Sequence, residues 1–193
     1  MDEKERKSPI VAYLGPEGTF CEQAAKKYFA REKTSLTPSK TIRDVFKAVA
    51  IGEAGQGVVP VENSLDGSNS MTLDLLLESD LMVRGEINLR VVHNLIAKKG
   101  LKMGQIRQVY SHPQALAQCR RFLEENLPRA ELIATSSTAR AVEMVGNMES
   151  AAAIGTDLAA KNFRVKILKR MIEDDPNNFT RFFILGRVDA SPT

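Results

Sequence analysis

The sequence predicts an α/β fold of two lobes, each built on mixed, largely parallel sheet. Three observations carry this. Short apolar runs alternate with helical stretches along most of the chain. Most of those runs end in a polar or Gly-rich turn that caps a helix, the strand–turn–helix order of parallel sheet. One long extended stretch, 81–97, divides two such series, and a last strand at 179–186 can return to the first. The division expected is one lobe of 8–85 plus 176–188 and a second of 90–172, with two chain crossings and a ligand cleft between them.

Taken in order, Ile10–Leu14 reads as a strand, Gly15-Pro16-Glu17-Gly18 as a turn and Thr19–Ala30 as a helix. Thr41 caps a helix running through Ile51, with Asp44 placed to close a capping box. Gly57–Val61 is a strand that ends in Glu62-Asn63-Ser64, and its Pro60 marks an edge or strand end. Ser70–Leu77 is a helix, and Leu81–Ala97 is extended, alternating at Ile87, Leu89 and Val91. In the second series Ile106–Tyr110 is a strand, and Ser111-His112-Pro113 opens a helix to Asn126, with Pro113 in its first turn. Glu131–Ala134 and Ala151–Ile154 are strands. Each precedes a capped helix, one opened by Ser137-Thr138 and ending at Asn147, the other opened by Gly155-Thr156 and ending at Phe163. Val165–Met171 is a strand, followed by the loop Asp175-Pro176-Asn177-Asn178.

Composition narrows the function. At 193 residues, 26% charged, 43% hydrophobic and a net charge of +3, the chain is an ordinary globular protein with a sizeable core. Its basic residues form no stripe interleaved with aromatics, so nucleic acid is not an expected partner. No apolar run reaches membrane-spanning length, and the charged N-terminus is no secretory signal, so a cytoplasmic location is expected. Its first residues are expected to fray. Cys21 and Cys119 read as reduced core side chains, and with His93 and His112 as the only histidines a zinc site is not expected. No cofactor or metal is called for. A homodimer or homotetramer is the working expectation, although nothing in these residues specifies it.

Thr180 and Arg181 stand where a polar loop becomes the apolar run Phe182-Phe183-Ile184-Leu185. A hydroxyl beside a guanidinium suits a carboxylate-bearing substrate that loses or gains a hydroxyl. The plainer reading puts Arg181 in a surface ion pair. Glu62-Asn63-Ser64, with Asp66-Gly67-Ser68-Asn69-Ser70 behind it, is dense in hydrogen-bonding groups, although such residues also make ordinary loops. Helix starts at Gly18-Thr19, Ser111-His112, Ser137-Thr138 and Gly155-Thr156 would offer N–H donors to an anion; each alone is only a cap. Gly52-x-x-Gly55-x-Gly57 follows a helix and precedes a strand, the reverse of a dinucleotide fingerprint. No phosphate loop or nucleophile elbow occurs.

Five runs, in order and spread over nearly the whole chain, resemble the prephenate dehydratases. They are Gly15-Pro16-Glu17-Gly18-Thr19-Phe20, Pro60-Val61-Glu62-Asn63-Ser64 with Gly67-Ser68, Ser111-His112-Pro113-Gln114-Ala115-Leu116-Ala117-Gln118-Cys119, Ser137-Thr138-Ala139, and Asn178-Phe179-Thr180-Arg181-Phe182. The resemblance implies two lobes like type II periplasmic solute-binding proteins, with the site in the inter-lobe cleft. It implies conversion of prephenate to phenylpyruvate, carbon dioxide and water in phenylalanine biosynthesis, without metal or cofactor. Thr180 resembles the family's catalytic threonine; Asn63, Ser111 and Gln118 are the further catalytic residues expected. Arg181, Glu62, Ser64, Thr19, His112 and Phe182 are expected to bind substrate. His112, or Glu62 if buried, is an alternative proton donor. Neither an ACT regulatory domain nor a chorismate mutase domain is expected within these residues, and phenylalanine is accordingly expected to exert little allosteric effect.

Other readings are arogenate dehydratase, which the same motifs would serve, a non-aromatising prephenate decarboxylase, expected to lack Glu-Asn-Ser and Thr-Arg-Phe, and a binding module for an aromatic acid, which would not need Thr180.

Overall fold

The computed structural model describes residues 8–188; the expected fraying of the first residues lies outside them. The elements run β1 (Ile10–Leu14), α1 (Phe20–Tyr28), β2 (Ser35–Ser39), α2 (Ile42–Ala50), β3 (Gln56–Asn63), β4 (Gly67–Ser68), α3 (Ser70–Glu78), β5 (Leu81–Arg90), β6 (Asn94–Ala97), β7 (Gln108–Ser111), α4 (Pro113–Gln118), α5 (Arg120–Asn126), β8 (Glu131–Ala134), α6 (Thr138–Val145), β9 (Ala151–Gly155), α7 (Asp157–Asn162), β10 (Lys166–Lys169) and β11 (Phe179–Arg187). They form two compact units. The first holds the described residues up to Gly15, Cys21–Leu89 and those from Thr180 on; the second holds Pro16–Phe20 and Arg90–Phe179.

In the first unit the sheet order is β2-β1-β3-β11-β5, with β4 paired to β3. β1 lies parallel to β2 and β3, while β11 runs antiparallel to β3. α2 forms because Thr41 and Asp44 close the expected capping box, and its Val45, Phe46 and Val49 face the sheet. The close fit falls at Gly57, where a Cβ would lie 2.8 Å from Val45 and 2.9 Å from Val49. Between Arg181 and Phe182 the pairing partner jumps from Glu62 to Pro60, so Val61 is an extra residue on β3. Pro60 has no N–H to give at this bulge, and the Val61 carbonyl accepts from Asn69 N instead.

In the second unit the order is β10-β6-β9-β7-β8. β7 is parallel to β8 and β9; β6 is antiparallel to β9 and β10. Both faces of this sheet are covered. Ala152 and Ile154 pack with Ala115, Cys119 and Leu123 of the α4–α5 side, while Ala151 and Ala153 pack with Ala141, Val142 and Ala159 of the α6–α7 side. That is why β9 is apolar without alternation.

Four local expectations give way to tertiary structure. β2 was not expected, since Ser-Leu-Thr-Pro-Ser has weak strand propensity; pairing along all of β1 imposes it. The helix expected from Pro113 to Asn126 is two, because Cys119 leaves helical geometry at φ −117, ψ 20. The single extended stretch 81–97 is β5 and β6, in different sheets, separated by Val91-Val92-His93. The last strand of the second series shortens to Lys166–Lys169, before Met171 at φ 54.

Candidate active site

In the first unit the carboxyl ends of β1 and β3 share one edge of the sheet, and β11 begins beside the end of β3. Thr180 is therefore the direct cross-strand partner of Asn63. The Asn63 amide is fixed by chemistry: its Oδ1 accepts from Leu65 N at 2.9 Å and Asp66 N at 3.1 Å. Backbone N–H groups only donate, so the atom facing them is oxygen and the other branch is NH2. That nitrogen donates to Thr180 Oγ1 at 2.9 Å. The half-buried Thr180 oxygen thus spends a lone pair on Asn63, and its own O–H is left to donate elsewhere.

The neighbouring expectations divide. Arg181 donates through Nε, at 2.9 Å, and through Nη2 to Glu86 Oε2, and lies 5.1 Å above the Phe183 ring. The plainer ion-pair reading is therefore what the geometry displays. With side chains 41% and 47% exposed, the pair contributes about 0–1 kcal/mol to stability. Arg181→Lys is expected to shift unfolding free energy by less than about 1 kcal/mol. If Arg181 also binds substrate, the same variant raises KM, because the ammonium cannot reproduce the planar fork. Denaturation and steady-state kinetics on one preparation separate the two roles. Phe182, expected to touch substrate, is 1% exposed and belongs to the core. Glu62 is exposed, which removes the burial on which its candidacy as an acid depended; Ser64 is exposed too.

In the second unit β7, β8 and β9 are parallel, so α4, α6 and α7 all begin at the same sheet edge. Ser137 caps α6 by accepting from Arg140 N at 3.1 Å, and His112 Nδ1 accepts from Gln114 N at 3.4 Å. Thr156 caps α7, accepting from Ala159 N, and donates its hydroxyl to Gly18 O at 2.6 Å. This ties the loop carrying Thr19 to the same edge. Gly18 sits at φ +86 with Ala159 so near that a Cβ would lie 2.8 Å from it, so both conformation and space require glycine. Ser111 is 0% exposed and donates to Ile154 O at 2.8 Å. In this structure its hydroxyl, expected to be catalytic, is buried and braces the strand ends.

Gln118, at the end of α4, belongs to a network the sequence reading missed. Its Oε1 lies 2.9 Å from His93 Nε2 and accepts from Asn178 Nδ2 at 3.0 Å. His93 N donates to Glu173 Oε2, whose other oxygen lies 3.4 Å from Arg90 Nη2. Backbone bonds from Ile172 N to His93 O, Asp174 N to Gln118 O and Val91 N to Asn178 O lace the loop before β11 onto these residues. His93 stands in a run read only as extended. Its rarity was the available signal, since the chain has two histidines.

Burial lowers the His93 pKa below its usual 6.5, opposed more weakly by the Gln118 hydrogen bond and the Glu173 charge. The unfolded chain therefore binds this proton more readily than the folded one. Its contribution to stability is complete above about 6.5 and is lost as pH falls below that value. Thermal unfolding between pH 7.5 and 5.5 is expected to show a steeper loss in the native protein than in His93→Gln. Burial also pushes the Cys21 thiol up to about 12 and the Cys119 thiol up from its ordinary value, Asp174 and Glu173 adding to the latter, so both stay protonated.

Among the described residues no helix is long and apolar enough to cross a membrane, and no three His, Cys, Asp or Glu side chains cluster as metal ligands. By class, this is an α/β protein of two units, each presenting polar groups at the carboxyl ends of its own parallel strands, the edge where such folds bind small molecules. The particular family follows from comparison: the prephenate dehydratase family model matches residues 11–190, and the chain belongs to that family. It is 45% identical over 183 residues to a bifunctional chorismate mutase/prephenate dehydratase of Pseudomonas aeruginosa, covering 95% of this chain and 50% of that one. It is 41% identical over 182 residues to a prephenate dehydratase of Methanocaldococcus jannaschii, covering 92% of this chain and 64% of that one. A solved prephenate dehydratase from Arthrobacter aurescens, in complex with L-Phe, superposes with a TM-score of 0.87 at 31% identity, covering 95% of this chain and 62% of that one. The chain thus spans about half to two thirds of the length of these relatives.

Proposed function

We propose that the protein is a prephenate dehydratase, a lyase of phenylalanine biosynthesis. In the reaction the bond between ring and carboxylate breaks, its electron pair enters the ring, and the C–O bond at the opposite ring carbon breaks. Carbon dioxide and hydroxide leave, hydroxide becomes water by taking a proton, and phenylpyruvate remains. Aromatisation supplies the driving force, so the protein's task is to orient the substrate and assist the departing oxygen.

The observation that carries this reading is the Asn63–Thr180 hydrogen bond. Asn63 occupies Thr180 Oγ1 as an acceptor, so the Thr180 O–H is aimed as a donor. A donor held in that sense strengthens its bond as charge grows on the leaving oxygen. A threonine hydroxyl is a weak acid, so its part is to stabilise and place that oxygen while water or His112 supplies the proton. The N–H groups opening α4, α6 and α7, with Thr19, His112 and Gln118, are suited to the substrate's carboxylate oxygens. Ser111 and the buried Phe182 act as supports for their strands. Arg181 contributes charge and holds the start of β11. Glu62 and Ser64 line the turn after β3.

The same reading makes the protein cytoplasmic and self-associating, as a dimer or tetramer. Leu77, Met71, Met82 and Val83, exposed on α3 and β5, support a self-association surface; light scattering of the purified protein tests it. The activity test follows aromatic product from prephenate and from arogenate side by side, with and without chelator. Phenylpyruvate formed from prephenate, unaffected by chelation, is the expected result. A rate no faster than the spontaneous one on prephenate refutes the reading, and turnover of arogenate alone replaces it with the arogenate reaction.

A further inference from the structure

The strongest observation outside the chemistry above is the imidazole that holds Gln118. His93 is 2% exposed, directly before β6, with its ring edge-on to Phe20 at 5.7 Å. The groups facing it are Phe20, Gln118 and Asn178, with the charges of Glu173 and Arg90 beside its backbone. Its Nε2 meets an amide oxygen, which can only accept, so Nε2 carries the proton. Its Nδ1 is buried and finds no partner among the described residues. A histidine kept only to fill the core would be better served by an apolar side chain, since this one leaves a polar atom unsatisfied. What the ring does achieve is orientation. With Asn178 it gives the Gln118 oxygen two donors. The amide is then fixed with its NH2 on the opposite branch.

We propose that His93, as the neutral Nε2–H tautomer, is a positioning residue for the dehydration: with Asn178 it locks the Gln118 side chain so that its NH2 donates to a substrate oxygen. This rests on the reading that Gln118 contacts substrate. Loss of the lock lets the amide rotate and present its oxygen, an acceptor, to an anionic substrate. Misplacement of this kind costs up to about a hundredfold in rate.

The test compares His93→Gln, which keeps an uncharged donor within reach of Gln118, with His93→Leu, which keeps bulk and loses the donor. Both are made in the native and the Gln118→Ala backgrounds, with folding checked by circular dichroism. His93→Leu is expected to lower kcat/KM about ten- to a hundredfold, His93→Gln to restore most of it, and His93→Leu to add little once Gln118 is alanine. Equal losses in the two His93 variants, or losses that multiply with Gln118→Ala, overturn the proposal. A nitrogen-15 histidine spectrum of the native protein reads the tautomer without any turnover and decides the case if His93→Leu does not fold. One Nε2–H species is expected at pH 7.5; an Nδ1–H species overturns the proposal. Native protein inactive on prephenate and arogenate, yet showing that tautomer, would fault the assigned reaction and leave the lock in place. Full activity in Gln118→Ala would remove both Gln118 and His93 from the chemistry.

Discussion

Thr180→Ala is expected to lower kcat by roughly two to three orders of magnitude, about 2.7–4 kcal/mol, while moving KM much less. In the reaction proposed above, the hydroxyl meets little developing charge in the bound substrate and most in the transition state, so its loss falls on the chemical step. Thr180→Ser keeps the oxygen that accepts from Asn63 Nδ2 and should retain far more activity. The substitution removes a half-buried side chain at the start of β11, so the fold should survive, which circular dichroism checks. Near-normal kcat in a folded Thr180→Ala protein would take the hydroxyl out of the reaction and make His112 the leading acid.

Asn63→Asp is the sharper experiment, because it preserves shape and reverses polarity. One carboxylate oxygen can still accept from Leu65 N and Asp66 N, so the turn after β3 persists. The other then faces Thr180, whose hydroxyl must donate to it instead of to the leaving oxygen. A negative charge also arrives close to where hydroxide departs. A fall in kcat of at least about a hundredfold is expected, comparable to removal of an oriented donor. Asn63→Ala should fall between Asn63→Asp and the native protein, since its hydroxyl is unheld rather than misdirected. Wild-type kcat in Asn63→Asp would show that the direction of the Thr180 O–H does not matter.

The two variants also test how much of the site is visible in the chain. Thr180 and Asn63 were nameable from sequence because each follows a strand-end pattern and belongs to a specific run. Their hydrogen bond was not, because it depends on a cross-strand register spanning 117 positions. The bulge at Val61 sets that register, and its only local trace is Pro60. His93, Asn178, Glu173 and Arg90 left no local sign of function. They converge because the loop before β11 is bonded back onto the break between β5 and β6. Phe182, Glu62 and Ser111 show the converse. All three sit inside conspicuous runs, yet Phe182 and Ser111 are buried and Glu62 is exposed, which the runs themselves do not specify.

By itself the sequence determined the α/β class, most strands and helix starts, and membership of the family. These depend on apolar period, capping residues and short runs, interactions that close within a few positions. Tertiary structure decided what depends on distant partners. It made β2 a strand through β1, split one expected helix at Cys119, and divided 81–97 between two sheets. It also committed Arg181 to Glu86 and Gln118 to His93. Hydrogen-bond direction and burial belong to pairs of groups, and the pairs exist only once the sheets have brought them together.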